Sequence, residues 1–298
     1  MKENNKQDWD LEQVREDVDS VEKAFEYGVD NFNPSECVSA STKISRRFLL
    51  AGLGGLGATF ISKASDAAVT NWTPIGDPSS IPARYVGQIV TFWKTGDISV
   101  ATGALIGPSH VLTAGHAVWN WDKGGVSPIT IMFTPGATGG RAPFGSANAT
   151  KWVTSNGFKR DRESPFDYGI IKLNRPLGND RTRGWFSLNQ WNVGWKYNCQ
   201  INGYLPDGSS ATQIATQGVL TDFIRYPESL WGSRDFPAQG GASGGPAWIR
   251  QGPAYRIIGI FTGGTGYGPG NTFFQSVRGL KMTQGVVNAI TAWRANNP

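Results

Sequence analysis

Three residues far apart in the chain have the chemistry of a base, an orienting acid and a nucleophile. His116 closes the stretch Thr113-Ala114-Gly115-His116. Asp167 opens Asp167-Tyr168-Gly169-Ile170-Ile171-Lys172-Leu173, and Ser243 lies within Gly240-Gly241-Ala242-Ser243-Gly244-Gly245-Pro246. A serine hydroxyl is a weak nucleophile until an adjacent base takes its proton. His116 Nε2 could take that proton and later hand it to a leaving amine. An acid bonded to Nδ1–H fixes the tautomer and stabilises the imidazolium that forms. Asp167 is placed oddly for a charge, at the mouth of an apolar strand, unless it is hydrogen-bonded. The glycines around Ser243 permit a tight turn that exposes its oxygen. Successive amides there can point at one spot, so the N–H groups of Gly241 and Ser243 could form an oxyanion hole, each donor lowering the barrier by about 3 kcal/mol. Singly, each segment has a plainer reading: a glycine-rich loop, a structural histidine, a strand-end cap. Together those readings lose force.

The elements that would position these residues are short apolar runs. Val86 to Trp93 is β-branched and aromatic, and similar runs are Ala104–Ile106, Ile129–Phe133, Ile170–Leu173, Gln200–Tyr204 and Tyr255–Phe261. Gly, Pro, Asn and Asp separate them. Many short strands with such breaks predict antiparallel barrels or a sandwich. Leu280 to Arg294 reads as one helix, with Val286, Val287, Ile290 and Trp293 on an apolar side. Asn174 to Leu188, rich in Pro, Gly, Asn and Arg, is a candidate link between two halves.

With 298 residues, 39 of them Gly and 17 Pro, the chain suits a loop-rich β protein rather than a helical bundle or a disordered chain. The 12 Trp and 15 Phe suffice for two modest cores. The net charge of +5 hides an asymmetry: residues 1–44 carry about −6 and residues 69–298 about +9. The basic surplus is scattered and no nucleic-acid motif accompanies it, so no nucleic-acid partner is expected. His110 and His116 are the only histidines, which argues against a histidine-built zinc site. No metal or other cofactor is expected. Of the two cysteines, Cys37 and Cys199, only the second lies beyond the amino-terminal region. A domain without that region has no internal disulfide and relies on packing.

Ser45-Arg46-Arg47 precedes a glycine-rich apolar run of 14 residues, Phe48 to Ile61. The run is shorter than the roughly 20 residues that a membrane-spanning helix needs. It resembles a twin-arginine export signal, with cleavage expected near Ala64 to Ala68. That resemblance implies the twin-arginine export machinery as a partner, contact with the membrane only during export, and a secreted or periplasmic (cell-envelope) destination. An uncleaved anchor and a buried core helix are the alternatives. Ahead of it, Leu11, Val14, Val18, Val21 and Phe25 recur at spacings of three and four, which predicts one apolar stripe on an acidic helix. The expected layout is residues 1–44 as extension, 45–68 as signal segment and 69–298 as one functional unit.

Read together, Thr-Ala-Gly-His, Asp-Tyr-Gly-Ile-Ile-Lys-Leu and Gly-Ala-Ser-Gly-Gly-Pro resemble the three motifs of trypsin-like serine endopeptidases. Their chain order, His then Asp then Ser, matches the chymotrypsin-type order. Ala101 to Pro108 before His110-Val111-Leu112-Thr113, and Ile257 to Gly264, resemble the bacterial glutamyl-endopeptidase branch. The resemblance covers about residues 80 to 294. It implies an all-β fold of two antiparallel six-stranded β-barrels, chymotrypsin-like, with a C-terminal helix. The first barrel would span about 80–180, the second about 185–278, and the helix about 280–294. It also implies a polypeptide substrate cut at the cleft between the barrels, with catalytic His116, Asp167 and Ser243.

The chain departs from that family's pattern around the specificity pocket. Ala101 and Ala117 stand where animal trypsins carry cysteines, and Ala242 stands where they carry an acid. Pro237 falls where a trypsin's pocket acid would be, although Asp235 is close. Phe261 replaces the histidine of glutamyl endopeptidases and Ala238 their pocket threonine. The expectation is an uncharged pocket formed by Ala238, Thr262 and Gly263, favouring an apolar or small residue before the cleaved bond. Two other functions compete on the same fold. One is a catalytically silent binding or adhesion module using Trp119, Trp121, Trp185, Trp191 and Trp195. The other is a serine esterase or transferase.

Overall fold

β-branched and aromatic side chains pack well on a pleated, half-buried surface, and the apolar runs form strands accordingly. The computed structural model describes residues 72–298, apart from 163, 180, 193, 207–210, 223–227, 234–235, 237 and 265–276. The acidic extension and the paired-arginine segment lie outside the described residues. In chain order the strands are β1 (Thr73–Pro74), β2 (Val86–Trp93), β3 (Ile98–Gly107), β4 (His110–Thr113), β5 (Pro128–Pro135), β6 (Ala147–Thr154) and β7 (Gly169–Leu173). Then follow β8 (Ser187–Leu188), β9 (Tyr197–Tyr204), β10 (Gln213–Asp222), β11 (Leu230–Ser233), β12 (Pro246–Gln251), β13 (Ala254–Gly264) and β14 (Val277–Lys281). Helix α1 is Asn156–Asp161 and helix α2 is Gln284–Asn296.

Strands β2-β3-β4-β7-β6-β5 close into one antiparallel barrel. A second closed ring runs β9-β10-β11-β14-β13-β12, because β10 pairs with both β9 and β11 while β12 returns to β9. The fold is all-β: two antiparallel six-stranded barrels with a C-terminal helix. β1 extends the second ring beside β10, and β8 pairs in parallel with β13.

Each barrel fills its own interior. Ile89, Leu105, Val111, Phe133 and Ile171 pack inside the first. Ile201, Ile214, Trp231, Ile258 and Phe261 pack inside the second. A third cluster joins them: Tyr85, Ile106 and Leu112 from the first barrel meet Tyr204, Trp248 and Ile260 from the second, together with Ile290 and Trp293 of α2. Cys199 is a buried free thiol, and the described residues contain no disulfide. Burial pushes that thiol far above its ordinary pKa, which keeps it protonated and unreactive. No helix among the described residues is long and apolar enough to cross a membrane.

The helix begins later than its pattern suggested. Leu280 and Lys281 belong to β14, where Leu280 stands opposite Leu230 and Ile260. Thr283 then caps α2 by accepting the Val286 N–H on its hydroxyl. Leu280 and Met282 are fully buried between strand and helix, so the apolar pattern runs unbroken across the boundary. Of the tryptophans considered as an adhesive surface, Trp191 is buried, while Trp185 and Trp195 are 37% and 58% exposed.

Candidate active site

The register of the first barrel brings His116 and Asp167 together. Thr113, the last residue of β4, stands opposite Gly169, the first of β7. The chain leaving β4 and the chain entering β7 therefore emerge side by side, His116 three residues past one end and Asp167 two before the other. His116 sits in a single 3₁₀ turn, Gly115–Ala117, directly after β4. Gly115 permits the approach: a Cβ there would lie 2.5 Å from Thr154 Oγ1 and 3.1 Å from Asp167 Oδ1.

Asp167 holds His116 twice. Its Oδ1 accepts the His116 backbone N–H at 2.9 Å, and its Oδ2 lies 2.8 Å from the ring Nδ1. The Asp167 side chain is only 10% exposed, whereas that of His116 is 37% exposed, so the ring keeps a face toward the cleft. Burial by itself would depress the imidazole pKa. The Asp167 charge and its hydrogen bond outweigh that, helped by Asp122 and opposed by Arg162, and the pKa stands above its ordinary 6.5. An ionised carboxylate only accepts, so the ring contact makes Nδ1 the protonated nitrogen and leaves Nε2 as the free base.

Ser243 lies in the turn between residues 240 and 245 that feeds β12. Gly241 and Gly244 take φ of +80° and +85°, values that side chains other than glycine adopt only with strain. Gly244 also faces the end of β4 so closely that a Cβ would collide with Thr113 Oγ1 and the Thr102 carbonyl. The serine turn is thus seated against the strand that delivers His116. Its amides divide into two sets. Ala242, Gly244 and Gly245 donate theirs to Gln239, Phe261 and Ala242 carbonyls. The N–H groups of Gly241 and Ser243 donate to no acceptor among the described residues, which leaves two donors flanking one peptide unit. Ser243 is half-buried, and its hydroxyl makes no hydrogen bond to the His116 ring. Such bonds are often long without substrate.

One residue that sequence reasoning passed over stitches the barrels together here. Thr102, fully buried in β3, donates its hydroxyl to the Gly241 carbonyl at 2.7 Å and accepts the Tyr204 N–H at 2.9 Å. Its own N–H donates to the Ser243 carbonyl at 2.8 Å, and Thr113 Oγ1 donates to its carbonyl at 2.7 Å. A single side chain therefore ties the nucleophile turn to the strand pair that carries His116.

The three residues expected to line a pocket are distributed differently. Thr262 and Gly263 end β13, and Thr262 lines a recess together with His116 and Asp167. Ala238 is exposed in the loop ahead of Ser243 and does not line that recess. Phe261, just before Thr262, is buried in the second barrel against Trp72 and Trp231.

No family model matches the chain. Two relatives do. It is 29% identical over 228 residues to a Bacillus subtilis protein named extracellular metalloprotease, covering 74% of this chain and 67% of the relative. It is 28% identical over 240 residues to the glutamyl endopeptidase of Bacillus licheniformis, covering 74% of this chain and 66% of the relative. The chain thus spans about two thirds of the length of each. Among solved structures, a glutamyl endopeptidase in complex with MPD superposes with a TM-score of 0.63 at 25% identity, over 76% of this chain and 98% of that one. The protease Anisep from Arthrobacter nicotinovorans gives a TM-score of 0.59 at 18% identity, over 71% and 96%, a likeness of fold. No group of three or more His, Cys, Asp or Glu among the described residues could hold a metal ion, and His110 Nε2 is spent on the Asn297 carbonyl at 2.7 Å.

Proposed function

The chain is a serine endopeptidase of trypsin-like architecture, and we propose that Ser243 carries its reaction through an acyl-enzyme. His116 Nε2 takes the Ser243 proton as the oxygen attacks the scissile carbonyl, then gives it to the leaving amine. Asp167 orients the ring and stabilises its charged form. The N–H groups of Gly241 and Ser243 receive the developing oxyanion. A water, activated by the same histidine, then releases the acyl group and restores the serine. The observation that carries this reading is the pair of undonated amides beside Ser243, in a turn packed against the strand that holds the His116–Asp167 pair.

Phe261 and Ala238 replace the charge-reading groups expected of glutamyl pockets, and Pro237 the acid expected of trypsin pockets. The residue before the cleaved bond is accordingly apolar or small, accommodated by Ala238, Thr262 and Gly263. A peptide-library profile dominated by Glu or Arg at that position would refute this.

Residues 45–68 export the domain by the twin-arginine route, a reading supported by the Arg46-Arg47 pair and by a domain that folds without disulfides. Replacing both arginines by lysine should retain the full-length chain inside the cell, as seen by fractionation. The test of the chemistry is labelling with a serine-directed fluorophosphonate together with cleavage of casein. Wild type should show both and Ser243→Ala neither. Labelling without casein cleavage would favour the esterase, and absence of both in wild type would favour the silent module.

A further inference from the structure

A polar recess of about 250 Å³ adjoins the His116–Asp167 pair. Asn120 and Asp122 line it from the turn after His116, Arg162 and Ser164 from the loop ahead of Asp167, and Thr262 and Arg278 from β13 and β14. Its charges are unevenly spent. Asp167 is bonded to His116. Asp122 is paired with Arg162 at 2.7 Å. Arg278 has no ion-pair partner among the described residues; its backbone carbonyl alone accepts a weak bond from the Thr262 hydroxyl at 3.5 Å. Arg278 is thus the one guanidinium lining the recess that has no ion-pair partner among the described residues.

The strand above Arg278 leaves that cation accessible. Gly263 is its register partner across β13 and β14, and a Cβ built on Gly263 would touch nothing within 4 Å. Pairing of β13 with β12 stops at Ile260 opposite Pro246, while pairing with β14 continues to Gly264. Residues 262–264 consequently have no pairing partner on their far edge among the described residues, and an extended chain docking there would add to the sheet. Successive side chains of such a chain point to opposite faces. If one enters the pocket beside Ser243, the residue immediately before it turns the other way, toward His116 and the recess.

We propose that this recess is a subsite for an acidic side chain, carried by the substrate residue immediately amino-terminal to the one in the primary pocket, with Arg278 as its charge partner. The assignment rests on the endopeptidase reading above. It adds a preference at a position distinct from the uncharged primary pocket. Asp or Glu there meets the Arg278 guanidinium, whereas Lys meets a like charge at the same group.

The test uses the purified protein and three peptides that differ only in Glu, Gln or Lys at that position, with kcat/KM compared within each variant. Wild type should favour Glu over Gln by about three- to tenfold, the range expected of one partly exposed ion pair. The preference should shrink as salt is raised. Arg278→Gln should bring the Glu:Gln ratio close to one, Arg278→Lys should keep part of it, and Arg278→Glu should shift preference toward the Lys peptide. Because each ratio is read within one active protein, a loss of folding cannot imitate the result. A wild-type ratio of one or less, or a preference that survives Arg278→Gln, overturns the subsite and leaves the peptidase intact. No hydrolysis of any peptide, or hydrolysis that persists in Ser243→Ala, overturns the peptidase reading and the subsite with it.

Discussion

One carboxylate of Asp167 binds both the backbone N–H and the ring of His116, so it fixes position and charge together. The raised imidazole pKa has a definite sign for activity. The base must be neutral, so kcat/KM should rise with pH through a midpoint above 6.5. In Asp167→Asn the burial that depresses the imidazole stays and the charge that raises it goes, so the midpoint should fall below 6.5. The same change should lower kcat by roughly 10³- to 10⁴-fold, because the amide favours the wrong tautomer. A pH–rate profile of the two proteins checks both statements. At this scale the sequence was most legible where chemistry restricts residue type, as at His116, Asp167 and Ser243. Thr102 and Arg278 were invisible in it. A threonine in a strand and an arginine near a strand's end are ordinary, and their importance comes only from the rungs that face them.

Strands with two buried faces announced themselves, and those with one wet face did not. β2 is buried along nearly its whole length and reads as an apolar run. β6, Ala147–Thr154, is buried only at its two ends and carries exposed Asn148, Thr150 and Lys151. It escaped a search for apolar stretches, as did β10, whose buried Gln213 and Thr216 look polar on paper. The helix boundary was missed because burial continues from β14 into α2. That helix is held to the first barrel by Trp293, which lies edge-on to His110, and by the Asn297 carbonyl that accepts from the His110 ring. Lys151 also donates to the Asn297 side chain at 2.9 Å. Trp293→Ala should cost about 3–5 kcal/mol of stability, the usual cost of emptying a buried aromatic site. Chemical denaturation followed by circular dichroism measures it, and a loss under about 1 kcal/mol would mean that the helix is dispensable to the core.

Across the whole molecule, the third apolar cluster makes the two barrels one cooperative object. Tyr204, Trp248 and Ile260 of one barrel share a dry interior with Ile106 and Leu112 of the other. The proposed catalytic groups are likewise divided, with His116 and Asp167 on the first and Ser243 on the second. Thermal unfolding should therefore give a single transition, coincident by tryptophan fluorescence and far-ultraviolet circular dichroism. Reductant should leave its midpoint unchanged to within about 2 °C, since Cys199 is a buried thiol with no bridge to lose. Two separated transitions would show that the shared cluster is too small to couple the barrels. The all-β class was legible from the short strands and their breaks, which left barrels or a sandwich open; the two-barrel plan came only from the resemblance that the three motifs carry. The joint between the barrels was not, because contacts between distant strands leave no periodicity in either.

The docking of α2 also has a consequence in time. The first barrel is made early in the chain, yet its His110 packs against Trp293 and bonds to Asn297, which are synthesised after both barrels. A ribosome must therefore complete the nucleophile turn and the entire second barrel before the first can be sealed. Until then a nascent chain exposes the apolar seat of Trp293, a patch that a chaperone can hold.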